Sequence, residues 1–235
     1  MTAFFVTATG TDIGKTYVTC GLLRALRARG EDVRALKPVV SGFDPAHMDA
    51  SDPGLLLAAL GQAVTADNVA RIAPWRFAAP LSPHMAAARE NRTIDFAALM
   101  AFTAEAVKAN TGTLLIETVG GIMVPLVQPR TTLDWMLGAS LPVILVTGSY
   151  LGAISHALST IDVLLRRAIK IAAIVVNESA DSTVGLEETA DSLRNFTSPS
   201  PASAAPVICL PRGAAAPGGP AAFSRIADAL AAAKV

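Results

Sequence analysis

The sequence predicts a three-layer α/β/α sandwich built on a mostly parallel sheet, and three observations carry that prediction. Short apolar runs rich in β-branched residues alternate with longer helical patterns, the arrangement that yields parallel strands joined by crossover helices. The runs at 4–7, 33–36, 114–116, 143–146, 171–176 and 206–209 mostly lack polar alternation, so strands buried on both faces are expected. The 235 residues are 52% hydrophobic and 16% charged, which is ample for one buried core, and a single domain over 1–235 is expected.

The elements follow in order. The strand at 4–7 feeds a helix over 16–29 that carries Val18, Leu22, Leu23 and Leu26 at helical spacing and stops at Gly30. After the strand at 33–36, the stretch 41–54 is rich in Gly, Pro and Asp and reads as a long loop. Covering helices are expected over 154–168 and 186–196, and surface connections over 198–206 and 214–220 around a last short strand. No internal repeat is present.

Composition narrows the function. Nineteen basic residues balance nineteen acidic ones, so no overall positive field exists to hold a nucleic acid or an anionic membrane, and neither is expected as a partner. The apolar runs fall well short of the ~18–20 residues of a spanning helix. The start, MTAFFVTATG, lacks the basic stretch of a removable leader. Cys20 and Cys209 are too few and too far apart for a disulfide framework or a CxxC metal site, so a reducing, cytoplasmic setting is expected. There is no GxSxG, HExxH or GxGxxG, and His47, His84 and His156 lack ligand spacing.

The chemistry concentrates at 5–16, FVTATGTDIGKT, where a strand runs into a Gly-containing loop ending in Gly-Lys-Thr at the start of a helix. Backbone N–H groups there can approach phosphate oxygens, Lys15 can reach the β/γ-phosphates, and the Thr16 hydroxyl can serve Mg²⁺. The usual loop has a glycine at position 9; here Thr9 stands there and Gly10 follows, so a variant loop is expected. This is the signature of a P-loop NTPase fold. A second lysine, Lys37, ends the second strand, where an open α/β sheet turns side chains into its ligand crevice. Glu117 closes the apolar run at 114–116, and Asp52 lies in the 41–54 stretch; Thr16, Asp52 and Glu117 make a plausible Mg²⁺ set, with Asp44 and Asp49 as rival ligands.

These residues, together with Lys37-Pro38-Val39-x-Ser41-Gly42, Pro80-Leu81-Ser82-Pro83-His84, Glu117 before Gly120-Gly121, Asp134-Trp135, Leu151-Gly152-Ala153-Ile154-x-His156 and Asn177, resemble the dethiobiotin synthetase family over about 3–212. The resemblance implies an ATP- and Mg²⁺-dependent cyclo-ligase that forms dethiobiotin from 7,8-diaminononanoate and CO2 through a carbamate and a carbamic-phosphoric anhydride, releasing ADP and phosphate. It implies Lys37, Lys15 and Thr11 as catalytic groups. Ser41 and Asp12 would meet the substrate amines or carbamate. The substrate carboxylate would rest on a helix start of a homodimer partner, at Leu151, Gly152, Ala153, Ile154 and Ser155. The nucleotide would be held by Asp12, Ile13, Gly14, Lys15, Thr16, Tyr17, Asp52, Glu117, Thr118, Val119 and Gly120, with Asn177, Glu178, Leu210, Pro211 and Arg212 at the base. Ala8, Thr118, Val119 and Ser155 depart from the family's usual residues, and no carboxylate occurs in 213–220 beyond the base loop. Two rivals share the fold: a partitioning-type ATPase, which would need a lysine where Gly10 stands, and a nucleotide-binding paralogue without turnover, which would have no use for Lys37.

Overall fold

The computed structural model describes residues 2–180, 182–198, 204–213 and 219–233. Its centre is a six-stranded sheet in the order β10-β9-β8-β1-β5-β2, and every pairing in it is parallel. The strands are β1 (Thr2–Ala8), β2 (Val33–Leu36), β5 (Thr113–Gly121), β8 (Val143–Gly148), β9 (Ile171–Asn177) and β10 (Val207–Leu210). All six residues of β8 are buried, as are the first six of β5 and of β9, which is why these runs carry no polar alternation.

The first crossover helix, α1 (Lys15–Ala28), buries Val18, Leu22, Leu23 and Leu26 and stops where Gly30 takes a φ of +77°. It packs beside α2 (Asp52–Ala59) and the last helix, α9 (Gly219–Ala233). Elsewhere α5 (Phe96–Lys108) packs on α6 (Thr132–Ala139), and α7 (Ala153–Arg166) packs on α8 (Leu186–Thr197). Trp135 of α6 is fully buried, edge-on to Phe5 of β1 at 5.0 Å between ring centres, and its indole N–H donates to Thr103 of α5.

Three sequence expectations change. The stretch 41–54 is not one long loop: Pro45–Ala50 forms a 3-10 helix, and α2 begins at Asp52, with the Ser51 hydroxyl accepting from the Gly54 N–H and Pro53 in the first turn. Ser-Asp-Pro-Gly reads equally as a turn and as a helix start, and packing of Leu56 and Leu57 decides for the helix. Glu117 does not end its strand, since β5 runs on to Gly121. Small elements also escape the pattern. These are the pair β3 (Val39–Ser41) and β4 (Trp75–Phe77), helices α3 (Ala66–Ile72) and α4 (Pro83–Arg89), and the β6 (Pro125–Val127)–β7 (Arg130–Thr131) hairpin. Within the two expected surface connections, 199–203 and 214–218 lie outside the described residues, while Ala205 is buried and Gly219 and Pro220 open α9. Among the described residues no helix is long and apolar enough to cross a membrane.

Candidate active site

β1 lies at the switch point of the sheet, with β5 and β2 on one side and β8, β9 and β10 on the other, where an open α/β sheet forms its ligand crevice. The loop leaving β1 is shaped by two left-handed residues, Asp12 at φ +56° and Gly14 at φ +93°. Gly14 admits no side chain: a Cβ there would lie 2.3 Å from Asn177 Nδ2, which donates to the Ile13 carbonyl at 2.9 Å. The end of β9 thus braces the loop. Gly14 is also the N-cap of α1 and offers no side-chain cap, so first-turn N–H groups stand ready for an anion. Lys15 folds back to donate to the Gly10 carbonyl at 3.2 Å. Burial, reinforced by the Lys37 charge, lowers its pKa to about 8.

A cavity of about 880 Å³ opens against this loop, lined by Thr11, Asp12, Gly14, Lys15, Thr16 and Lys37 among others. Ser41, Asp52, Val119 and Gly120 also line it. At its floor the Thr16 hydroxyl lies 2.7 Å from Glu117 Oε1 and 2.9 Å from Asp52 Oδ1. Lys37 Nζ donates to Glu117 Oε1 at 2.7 Å and to the Thr118 carbonyl at 2.9 Å, and pairs with Asp52 Oδ2 at 3.0 Å. A lysine has three N–H donors, so each has a partner. Burial alone would push Lys37 down; Glu117 and then Asp52 outweigh it and hold the ammonium above its ordinary pKa. Burial likewise pushes Asp52 up, but the Lys37 charge and hydrogen bonds from Lys37 and Thr16 hold it below the ordinary range. Glu117 Oε2 is buried without a hydrogen-bond partner, so this all-oxygen cluster retains an unused acceptor and fits a hard divalent cation.

The structure therefore brings Lys15, Thr16, Lys37, Asp52 and Glu117 together, and of the three candidate aspartates it places Asp52 beside Thr16. Asp44 is exposed and caps the 3-10 helix while pairing with His47, and Asp49 is exposed. The side chain of Thr118, expected among the nucleotide contacts, does not line the cavity. Its hydroxyl turns away from the cavity to Thr7 Oγ1 at 3.1 Å and the Val6 carbonyl at 3.3 Å. Tyr17 is not in the lining either; its ring meets Phe223 of α9 edge-on. Asn177, Glu178, Leu210, Pro211 and Arg212 form a separate wall beyond the loop, where Glu178 N–H donates to the Leu210 carbonyl and Arg212 N–H to the Glu178 carboxylate at 2.7 Å. Leu151, Gly152, Ala153, Ile154 and Ser155 open α7 and lie outside the cavity lining. Residue reasoning assigned no role to the opposite wall, made by Pro80, Leu81, Ser82, Pro83 and Val124. Pro83 in the first turn of α4 was the available signal.

A family model described as an AAA domain matches residues 2–210. An ATP-dependent dethiobiotin synthetase BioD from Methylobacterium nodulans is 48% identical over 223 residues, covering 92% of this chain and 96% of that protein. The chain belongs to the dethiobiotin synthetase family. A second relative of that description, from Acidiphilium cryptum, is 47% identical over 194 residues, covering 82% of this chain and 87% of its own length. Members of the family are ATP-dependent ligases that form carbon–nitrogen bonds. Among solved structures, the cell division ATPase MinD of Pyrococcus furiosus superposes with a TM-score of 0.59 at 17% identity, covering 99% of this chain and 100% of that one. At that identity the likeness establishes the P-loop NTPase fold alone.

Proposed function

We propose that this chain closes the ureido ring of dethiobiotin from 7,8-diaminononanoate, CO2 and ATP in the cavity between the phosphate loop and the Pro80–Pro83 wall. The observation that carries the reading is the meeting of two buried lysines with a hydroxyl–dicarboxylate cluster on that floor. An amine nitrogen adds to CO2 and loses a proton, giving a carbamate. The carbamate oxygen then attacks the γ-phosphorus, and the bond from that phosphorus to the ADP oxygen breaks. The second amine attacks the resulting anhydride carbon, the bond from that carbon to the phosphate oxygen breaks, and loss of a proton leaves the cyclic urea.

The carbamate and the phosphates that react are anionic, and negative charge develops on each leaving oxygen, so charge compensation is the main demand on the protein. Lys15 serves the γ-phosphate side. Lys37 serves the carbamate, exchanging one of its three acceptors for the incoming oxygen. Thr11, Asp12 and Ser41 orient the amines; the Ser41 hydroxyl is buried without a protein partner and so has a free bond for substrate. Thr16, Asp52 and Glu117 would hold Mg²⁺, which when bound draws charge from the phosphate oxygens. Asn177, Glu178, Leu210, Pro211 and Arg212 receive the base.

The reading extends to a homodimer of single-domain, cytoplasmic chains. Met85 and Met123 are exposed, and Leu151, 86% exposed, precedes a helix whose first turn has no side-chain cap. A partner's helix start at 151–155 would supply free N–H groups to the substrate carboxylate. The test is ADP release from Mg-ATP and bicarbonate with and without 7,8-diaminononanoate, with the product checked by mass. Diamine-dependent release with a dethiobiotin mass is expected; release that ignores the diamine, or none, overturns the substrate assignment.

A further inference from the structure

β1 and β5 run in step from Thr2 opposite Thr113 to Val6 opposite Glu117, and the next partners are Ala8 and Gly121. One residue of β1, Thr7, therefore faces three of β5: Thr118, Val119 and Gly120. The bulge sets the directions of the residues after Glu117. It sends the Thr118 carbonyl to Lys37 Nζ and turns Val119 and Gly120 into the cavity. At its far end Gly120 takes φ +57°, and a Cβ there would meet Val124 at 2.6 Å, so the backbone is confined.

At the near end the side chain of Thr118, fully buried, reaches back to fully buried Thr7 and to the Val6 carbonyl. We propose that Thr118 is a positioning residue for the ligation: its hydroxyl pins the bulge to β1 and so fixes the carbonyl that anchors Lys37. The other two acceptors of Lys37, Glu117 and Asp52, are shared with Thr16 and are the groups that would turn to a cation. The Thr118 carbonyl has no such second demand, so it is the reference point that keeps the ammonium in register while the carboxylates exchange partners. Loss of the pin lets this peptide drift, and a drift of a few tenths of an ångström at a charge-stabilising group is felt in turnover.

The inference rests on the role proposed for Lys37, and the experiment separates the two. Thr118→Val keeps the shape and removes the hydroxyl; Thr118→Ser restores it. With diamine and ATP both varied, Thr118→Val should lose about tenfold in kcat while KM for ATP stays within about twofold, and Thr118→Ser should recover most of the kcat. Thr7→Val, which removes the other hydroxyl of the pair, should lower kcat in the same way and serves if Thr118→Val does not fold. Lys37→Met is measured alongside. If Lys37→Met is inactive while Thr118→Val and Thr7→Val keep full kcat, or if Ser and Val at 118 fall equally, the positioning role is wrong and the proposed chemistry stands. If Lys37→Met turns over normally, the proposed chemistry itself is wrong.

Discussion

Replacing Lys37 by Met tests the site through stability as well as rate. The change keeps a long stem and deletes the ammonium that three acceptors surround. Glu117, 0% exposed, is then left as a buried carboxylate with Thr16 as its remaining hydrogen-bond donor. Breaking a buried pair by removing one partner costs about 3–5 kcal/mol. The Asp52 half of the loss is discounted, because its side chain is 39% exposed and can rehydrate. At about 3 kcal/mol, and about 2–4 °C per kcal/mol for a chain of this size, the nucleotide-free variant should melt about 6–12 °C below the parent. Millimolar Mg²⁺ should narrow that gap, since a divalent cation supplies the missing positive charge to the same carboxylates. Diamine-dependent ADP release should fall by at least about 10²-fold, while binding of a fluorescent ATP analogue persists. Differential scanning calorimetry with and without Mg²⁺, beside the coupled ADP assay, reads all of this. A variant that melts within about 2 °C of the parent in metal-free buffer at pH 7 refutes the energetic reasoning, and one that ligates at the parent rate refutes the catalytic role. The sign with pH is fixed as well. A lysine held above its ordinary value contributes stability that is whole below the unfolded pKa, about 10.4, and is lost only as pH climbs through the raised folded one. The Lys37 contribution should therefore be undiminished across the neutral range.

Lys15 behaves oppositely. With its folded pKa at about 8 and the unfolded one higher, it penalises the free protein fully below pH 8, and stability should rise from there toward pH 10. Phosphate oxygens would restore its charge, so nucleotide binding at pH 8 should take up a substantial fraction of a proton, read by calorimetry in buffers of different ionisation enthalpy; no buffer dependence would contradict it. On the outer layer, Gly21→Ala would drive a Cβ to within 2.0 Å of the Phe223 ring, so α9 must shift off α1. A loss of about 1–3 kcal/mol in urea denaturation is expected, and an unchanged midpoint would show that this contact is slack.

The parallel sheet and the phosphate loop were legible because both leave local marks. Doubly buried strands lose their alternation, and Gly14-Lys15-Thr16 condenses three separate needs into three adjacent residues. Lys37 was legible from its place just after the second strand, and Glu117 as the acid that stops an apolar run, although β5 continues past it. Asp52, expected in a loop, instead begins α2 beside Thr16 and Lys37, because Ser51-Asp52-Pro53-Gly54 satisfies turn and helix chemistry alike and only Leu56 and Leu57 packing distinguishes them. The direction of Thr118 was illegible for a different reason. Side-chain parity along a strand holds only while the register holds, and the β1–β5 slip between Val6 and Ala8 is a property of two segments more than a hundred residues apart. The three-residue strands β3 and β4 carry too few residues to show a period at all.

The strand order has a consequence for how this ligase could be altered. From β1 the chain first goes to the edge strand β2 and comes back to insert β5 between them, then passes to the other side of β1 and builds outward through β8, β9 and β10. Lys37, Asp52 and Glu117 thus come from one contiguous stretch, and Asn177, Glu178 and Arg212 from another, with only the loop at 9–16 common to both. Under the roles proposed above, chemistry and base choice are written in separate paragraphs of the sequence. Residues 177–213 could be exchanged to retune nucleotide preference while the reacting groups remain untouched.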